Sequence, residues 1–167
     1  MSRPMSQNAT LSQDNDHHNP PRTEAAFLAG SAGIVVNMVA LALCDAAGIE
    51  TARGGLLKLV RQCVGFDTPG PIGQQAFHFG VGLLMALAYA YMIEPRLRGN
   101  DLRKGLLYAA FVWILNAAFV LPVTGEGFAG GRHISLAGMV LFGVAHTLFF
   151  AILGVGYGRL VRAPKRS

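Results

Sequence analysis

Seven polar residues, set among long apolar runs, hold what chemistry the sequence offers: Asn37, Asp45, His78, Asn116, Glu126, His133 and His146. Imidazoles ligate metals and exchange protons near neutral pH, carboxylates do both through oxygen, and amides position either. A metal site would draw on His78, His133, Asp45 and Glu126. No HxxxH or HxxE pair sets two ligands on one helical face, so no metal is expected. A haem held by two histidines would want His78 and His146 at one level, and there is no CxxCH attachment motif. No cofactor is called for. A proton or substrate path through Asn37, Asp45, Asn116 and His146 is a third reading, since ionisable groups at membrane depth often mark one. The fourth is structural: such residues hydrogen-bond between helices for about 1 kcal/mol each and hold a bundle in register. Ser31 and Ser135 have no partnering base, so a serine nucleophile is unsupported.

The elements that must position these groups are membrane helices. Of the 167 residues 52% are hydrophobic and only 14% charged, and the charges crowd into short stretches. Four runs lack Asp, Glu, Lys and Arg altogether: 25–44, 76–93, 105–123 and 134–158. Each has roughly the 18–25 residues a helix needs to cross about 30 Å of hydrocarbon. An open sheet edge cannot satisfy its backbone in lipid, and the alternating polarity of a β-barrel strand is missing. The expected fold is therefore all-α, polytopic, with four transmembrane helices. Residues 1–24, rich in Ser, Asn, Gln, Asp, His and Pro, read as a disordered polar tail without the apolar core of a signal peptide. Residues 161–167 read as a short basic tail.

The net charge of +5 is not a nucleic-acid signal, because the bases sit at the ends of the apolar runs, where lipid headgroups would meet them. Arg3, Arg22, Arg96, Arg98, Arg103, Lys104, Arg159, Arg162, Lys165 and Arg166 fall on one side; Arg53, Lys58, Arg61 and Arg132 fall on the other. The positive-inside rule then predicts both termini in the cytoplasm. Between the first two spans, residues 51–66 interleave Leu56, Leu57, Leu59, Val60, Cys63, Val64 and Phe66 with Arg53, Lys58, Arg61 and Gln62. This pattern predicts a short amphipathic helix lying in the membrane interface. The stretch 67–71 is a turn-rich entry to the second span. Cys44 and Cys63 both fall on the outer side; they either pair there or stay free, and free cysteines packed in apolar surroundings are the expectation.

On that topology the polar groups gather in the outer half. His78 lies about one turn into the second span, Asn37 and His146 near mid-depth, Asn116 above the middle of the third, and Asp45, Glu126 and His133 at the surface. The four hydroxyls of Tyr89, Tyr91, Tyr108 and Tyr157 mark the other half as an interfacial belt. Gln74, His78, Met85 and Tyr89 share one helical face, as do Met139, Phe142, Gly143, His146, Phe150 and Leu153. If both faces turn inward, the two histidines point into one core, with levels about 9 Å apart at ~1.5 Å per residue. An outward-facing polar pocket follows. The glycines after Pro122 lack a GKS or GKT ending and read as a turn. Small residues (Ala26, Gly30, Gly33 and Ala40; Gly80 and Gly82; Gly105 and Ala109; Gly154, Gly156 and Gly158) form stripes that pack helices within the bundle or against a second copy or another membrane subunit.

The pattern resembles small bacterial four-helix inner-membrane proteins for which no reaction is established. The shared features are a histidine early in the second span (His78), a Pro-Gly-Gly stretch after the third (Pro122, Gly125, Gly127), a mid-span histidine in the fourth (His146), and a closing Tyr157-Gly158-Arg159. The resemblance covers about residues 25–160. It implies the four-span topology and singles out His78 and His146, but it brings no activity. The leading expectation is a non-catalytic accessory or structural subunit of the inner membrane, with lipid and other membrane subunits as partners and no nucleic acid. The alternatives are a small transporter or proton-linked carrier, and a haem- or quinone-binding membrane protein.

Overall fold

The structure, a computed structural model, describes residues 22–52 and 54–162; the expectations for residues 1–21, Arg53 and 163–167 lie outside them. Helix α1 runs Arg22–Ala46, α2 Gly55–Val64, and α3 Pro71–Ala88, which continues through a π-helical turn, Tyr89–Ile93, and a 3-10 turn, Glu94–Arg96. Helix α4, Asp101–Leu115, continues through a π-helical turn, Asn116–Val120, to Val123. Helix α5 runs Leu136–Arg162. No strand occurs among the described residues. Four helical stretches, of 25, 26, 23 and 27 residues, are long and apolar enough to cross a membrane.

Each of these helices overruns its charge-free stretch. Arg22, Thr23 and Glu24 belong to the first turn of α1 rather than to a tail, and Glu24 there complements the positive end of the helix dipole. Proline at the first helical position starts α3 at Pro71, five residues before the expected boundary. Asn100 caps α4 by accepting from the backbone N–H of Arg103 at 2.8 Å. Val161 and Arg162, expected in a tail, are the last residues of α5. At its start the Ser135 hydroxyl accepts from the backbone N–H of Gly138 at 3.1 Å.

Helix α1 packs along α5 and α3, and α5 packs along α4, whereas α3 and α4 scarcely approach each other. Glycines set these crossings. A Cβ on Gly105 would strike the carbonyl oxygen of Phe150, and one on Gly154 would lie 2.5 Å from the carbonyl oxygen of Asp101. Gly33 meets Phe149 in the same way, Gly30 meets Ala86, and Gly82 meets Ile34. Backbones approach this closely only where no side chain intervenes, and the close contact adds dispersion attraction.

At the end of the bundle where α1 begins and α5 ends, Tyr89, Tyr108 and Tyr157 are buried together with Phe149, Phe150 and Leu153. The Tyr89 ring stacks on Tyr108 at 5.9 Å and meets Tyr157 edge-on at 5.7 Å. The expected tyrosine belt is corrected here: three of the four rings fill the core and only Tyr91 is exposed. Ion pairs Lys104–Glu94, at 2.6 Å, and Arg162–Asp101 close this end.

The opposite end carries α2 and the loop from Thr124 to Ser135. Leu57 is buried, and Gly55 lies against Leu121. Lys58 Nζ pairs with Glu126 Oε1 at 2.5 Å, tying α2 to the loop, and His133 Nε2 lies 3.9 Å from Glu126 Oε2. Left-handed backbone at Gly125 and Gly127 (φ 85° and 77°) lets the loop fold back on itself. Cys44 is buried, Cys63 is exposed, and both are free.

Candidate functional site

Where α3 and α4 stand apart, between the tyrosine cluster and α2, the bundle holds a cavity of about 390 Å³. Helices α1 and α5 form its back wall with Ile34, Asn37, Phe142, His146, Phe149 and Phe150. Helix α3 supplies Gln74, Gln75, His78 and Met85 on one side, and α4 supplies Val112, Trp113 and Asn116 on the other. Leu56 and Leu57 of α2 roof it. Among the described residues α3 and α4 do not pack closely along this side. Those two meet at the cavity floor, where the Tyr108 hydroxyl reaches the Met85 carbonyl oxygen at 3.4 Å and sulfur at 3.2 Å.

The polar groups on these walls are linked. His78 Nε2 lies 2.8 Å from Asn37 Oδ1. A carbonyl oxygen only accepts, so this nitrogen donates and carries a proton. His146 Nδ1 lies 2.9 Å from the carbonyl oxygen of Phe142, one turn back on its own helix. That nitrogen is protonated by the same reasoning, and in the neutral ring the lone pair is on Nε2. The two imidazoles meet edge-to-face with centroids 6.4 Å apart. Phe142 packs on His146 at 4.2 Å.

Asn37 is only 1% exposed, and its Nδ2, itself shielded from the open space, finds no partner among the described residues. Among the described residues the other buried side-chain atoms without a partner are Thr51 Oγ1 and the hydroxyls of Tyr89 and Tyr157; both tyrosines belong to the aromatic cluster at the far end.

No family model, curated protein or solved structure matches the chain. The chemistry therefore has to be read from the cavity itself.

Asn37, His78, Asn116 and His146 all line that cavity, whereas Asp45, Glu126 and His133 do not. Asp45 sits in the last turn of α1. Glu126 is engaged with Lys58, and His133 is exposed in the loop. The expected 9 Å offset between the histidines is replaced by ring contact. Because α3 begins at Pro71, His78 lies two turns into the helix rather than one, level with the middle of α5. No group of three or more His, Cys, Asp or Glu side chains among the described residues could hold a metal. Sequence reasoning passed over Trp113 and Val112, although Trp113 stands three residues before Asn116 and so shares its helical face. It also placed Leu56 and Leu57 on an interfacial helix without seeing that their side chains would close the cavity.

Proposed function

We propose that this is a multi-pass inner-membrane protein, with both termini in the cytoplasm, whose activity is to bind a small molecule in the cavity, as a carrier or as a ligand-binding accessory subunit. The observation that carries the binding reading is the Asn37–His78 pair beside His146 on a cavity of about 390 Å³. A bundle built only to brace a larger assembly gains nothing from such a space, since unfilled volume forfeits packing contacts. The cavity falls within the size range of small-molecule sites, and a few convergent polar groups on apolar walls is the usual design.

Insertion with both termini inside is supported by ten basic residues on one side against four on the other. On this orientation the cavity opens in the outer half of the membrane. The exposed Val64 and Phe66, beside Lys58 and Arg61, fit α2 lying among lipid headgroups.

Native mass spectrometry of the protein extracted in mild detergent tests the binding reading. The chain should carry a non-covalent small-molecule mass, and His146→Leu with unchanged helicity should lose it. A ligand-free chain that instead retains a protein partner in fixed ratio would return the reading to a purely structural subunit. Haem is separable by its visible spectrum; to ligate iron through Nε2, His78 would have to give up its bond to Asn37.

A further inference from the structure

We propose that the cavity takes a quinol, a lipid-borne molecule whose flat ring carries hydroxyl groups, which enters from the bilayer through the gap between α3 and α4. This deepens the ligand-binding reading and rests on it.

The hydrogen-bonding valence of the walls selects the ligand's polar group. His146 uses Nδ1–H on Phe142, so its neutral ring offers a lone pair and asks for a donor. Asn37 is 1% exposed and engaged with His78, so it turns no open hydrogen-bonding atom to the cavity. A hydroxyl donates to the His146 nitrogen, whereas a carbonyl only accepts and would leave it unmet.

The remaining walls select the body that bears the hydroxyl. Phe142, Phe149, Phe150, Trp113 and Met85 line the same space. Such walls favour a flat aromatic ring over a branched or strongly polar body.

The route in selects for lipid solubility. Leu56 and Leu57 roof the cavity at the α2 end and the tyrosine cluster closes the other, while among the described residues α3 and α4 leave a gap between them. His146 lies ten residues into α5, about 15 Å along the helix at ~1.5 Å per residue, near the middle of the hydrocarbon. A molecule arriving there sideways must already be dissolved in the bilayer. Its apolar tail would stay in the gap while the ring occupies the cavity.

The test uses the full chain in phosphatidylcholine nanodiscs, with protein-free nanodiscs correcting for partition into lipid. Decylubiquinol, decylubiquinone and 1-decanol are titrated, and bound ligand is counted after rapid separation. Saturable binding of decylubiquinol at one per chain is expected, with the quinone and the alcohol at least tenfold weaker. His146→Leu should weaken quinol binding at least tenfold. Val112→Phe, which narrows the cavity and removes no hydrogen bond, should do the same and covers the case in which a polar variant misfolds. Uptake no greater than in protein-free nanodiscs overturns the proposal. So does decanol binding as tightly as the quinol, or wild-type affinity in folded Val112→Phe. If decylubiquinol fails while the native mass spectrum still shows a bound molecule lost in His146→Leu, the quinol is wrong and the binding site stands. If both fail, both readings fall.

Discussion

Asn37, His78 and His146 differ in what their hydrogen bonds hold together. The Asn37–His78 bond joins α1 to α3, whereas His146 hydrogen-bonds to its own helix and meets α3 only through its ring contact with His78. Interhelical hydrogen bonds of this kind contribute about 0.6 kcal/mol on average and at most about 1.7. Asn37→Leu and His78→Leu should therefore each cost on the order of 1 kcal/mol, and a double-mutant cycle between them should return a coupling of similar size. The same cycle between Asn37 and His146 should return almost none. Unfolding in mixed micelles of rising SDS fraction measures both. A large Asn37–His146 coupling would mean that the histidine braces the bundle rather than facing a ligand. The sequence made these residues legible as a set, because polar groups are scarce in apolar helices. It left the pairing open: the partner of His78 depends on where α3 begins, and the charge-free criterion set that five residues too late. Pro71, a good opening residue, was the better signal.

Among the elements, glycine positions are the sharpest test of how the helices are seated. Gly105 and Gly154 face each other's helices with no room for a Cβ, while a Cβ on Gly80 would meet nothing within 4 Å. Gly105→Ala should destabilise the α4–α5 crossing by about 1–3 kcal/mol or more, as overpacking does. Gly80→Ala should be neutral or stabilise α3 by up to about 1 kcal/mol through helix propensity. SDS unfolding midpoints moving in opposite directions would verify the assignment, and equal losses would contradict it. Both glycines belong to stripes visible in the sequence, yet the sequence cannot distinguish them, because spacing gives a face and not what lies opposite. Helix α2 supplies a second prediction. It is held to the loop by the Lys58–Glu126 pair, whose side chains are 45% and 23% exposed, and such pairs contribute about 0.2–1 kcal/mol and weaken in salt. Glu126→Gln should leave stability nearly unchanged while loosening the roof over Trp113. As Trp113 is the only tryptophan, acrylamide quenching reads this directly. Quenching should rise in the variant and, for wild type, between low salt and 0.5 M salt. Identical quenching in all conditions would mean that α2 is not the roof's moving part.

For the whole molecule, the four apolar helices were readable from composition alone, because hydrocarbon thickness fixes their length and charges stay at their ends. Their arrangement was not, since nothing in one helix's sequence says that α3 and α4 stand apart while α1 and α5 lie together. Orientation rests on the basic residues at the end holding both termini, and the protein contains its own reporter for it. Cys63 is exposed on α2, and Cys44, near the end of α1, is 8% exposed. They are the only two cysteines, and both lie toward the α2 end of the bundle. A membrane-impermeant maleimide added to intact spheroplasts should therefore modify one thiol per chain. Cys63→Ala should abolish the labelling, and Cys44→Ala should leave it unchanged. Detergent lysis should add little, because Cys44 is shielded by packing rather than by the membrane. Labelling of Cys63 only after the membrane is broken would invert the topology. It would place the basic loops outside and turn the cavity toward the cytoplasmic half, without altering the bundle itself.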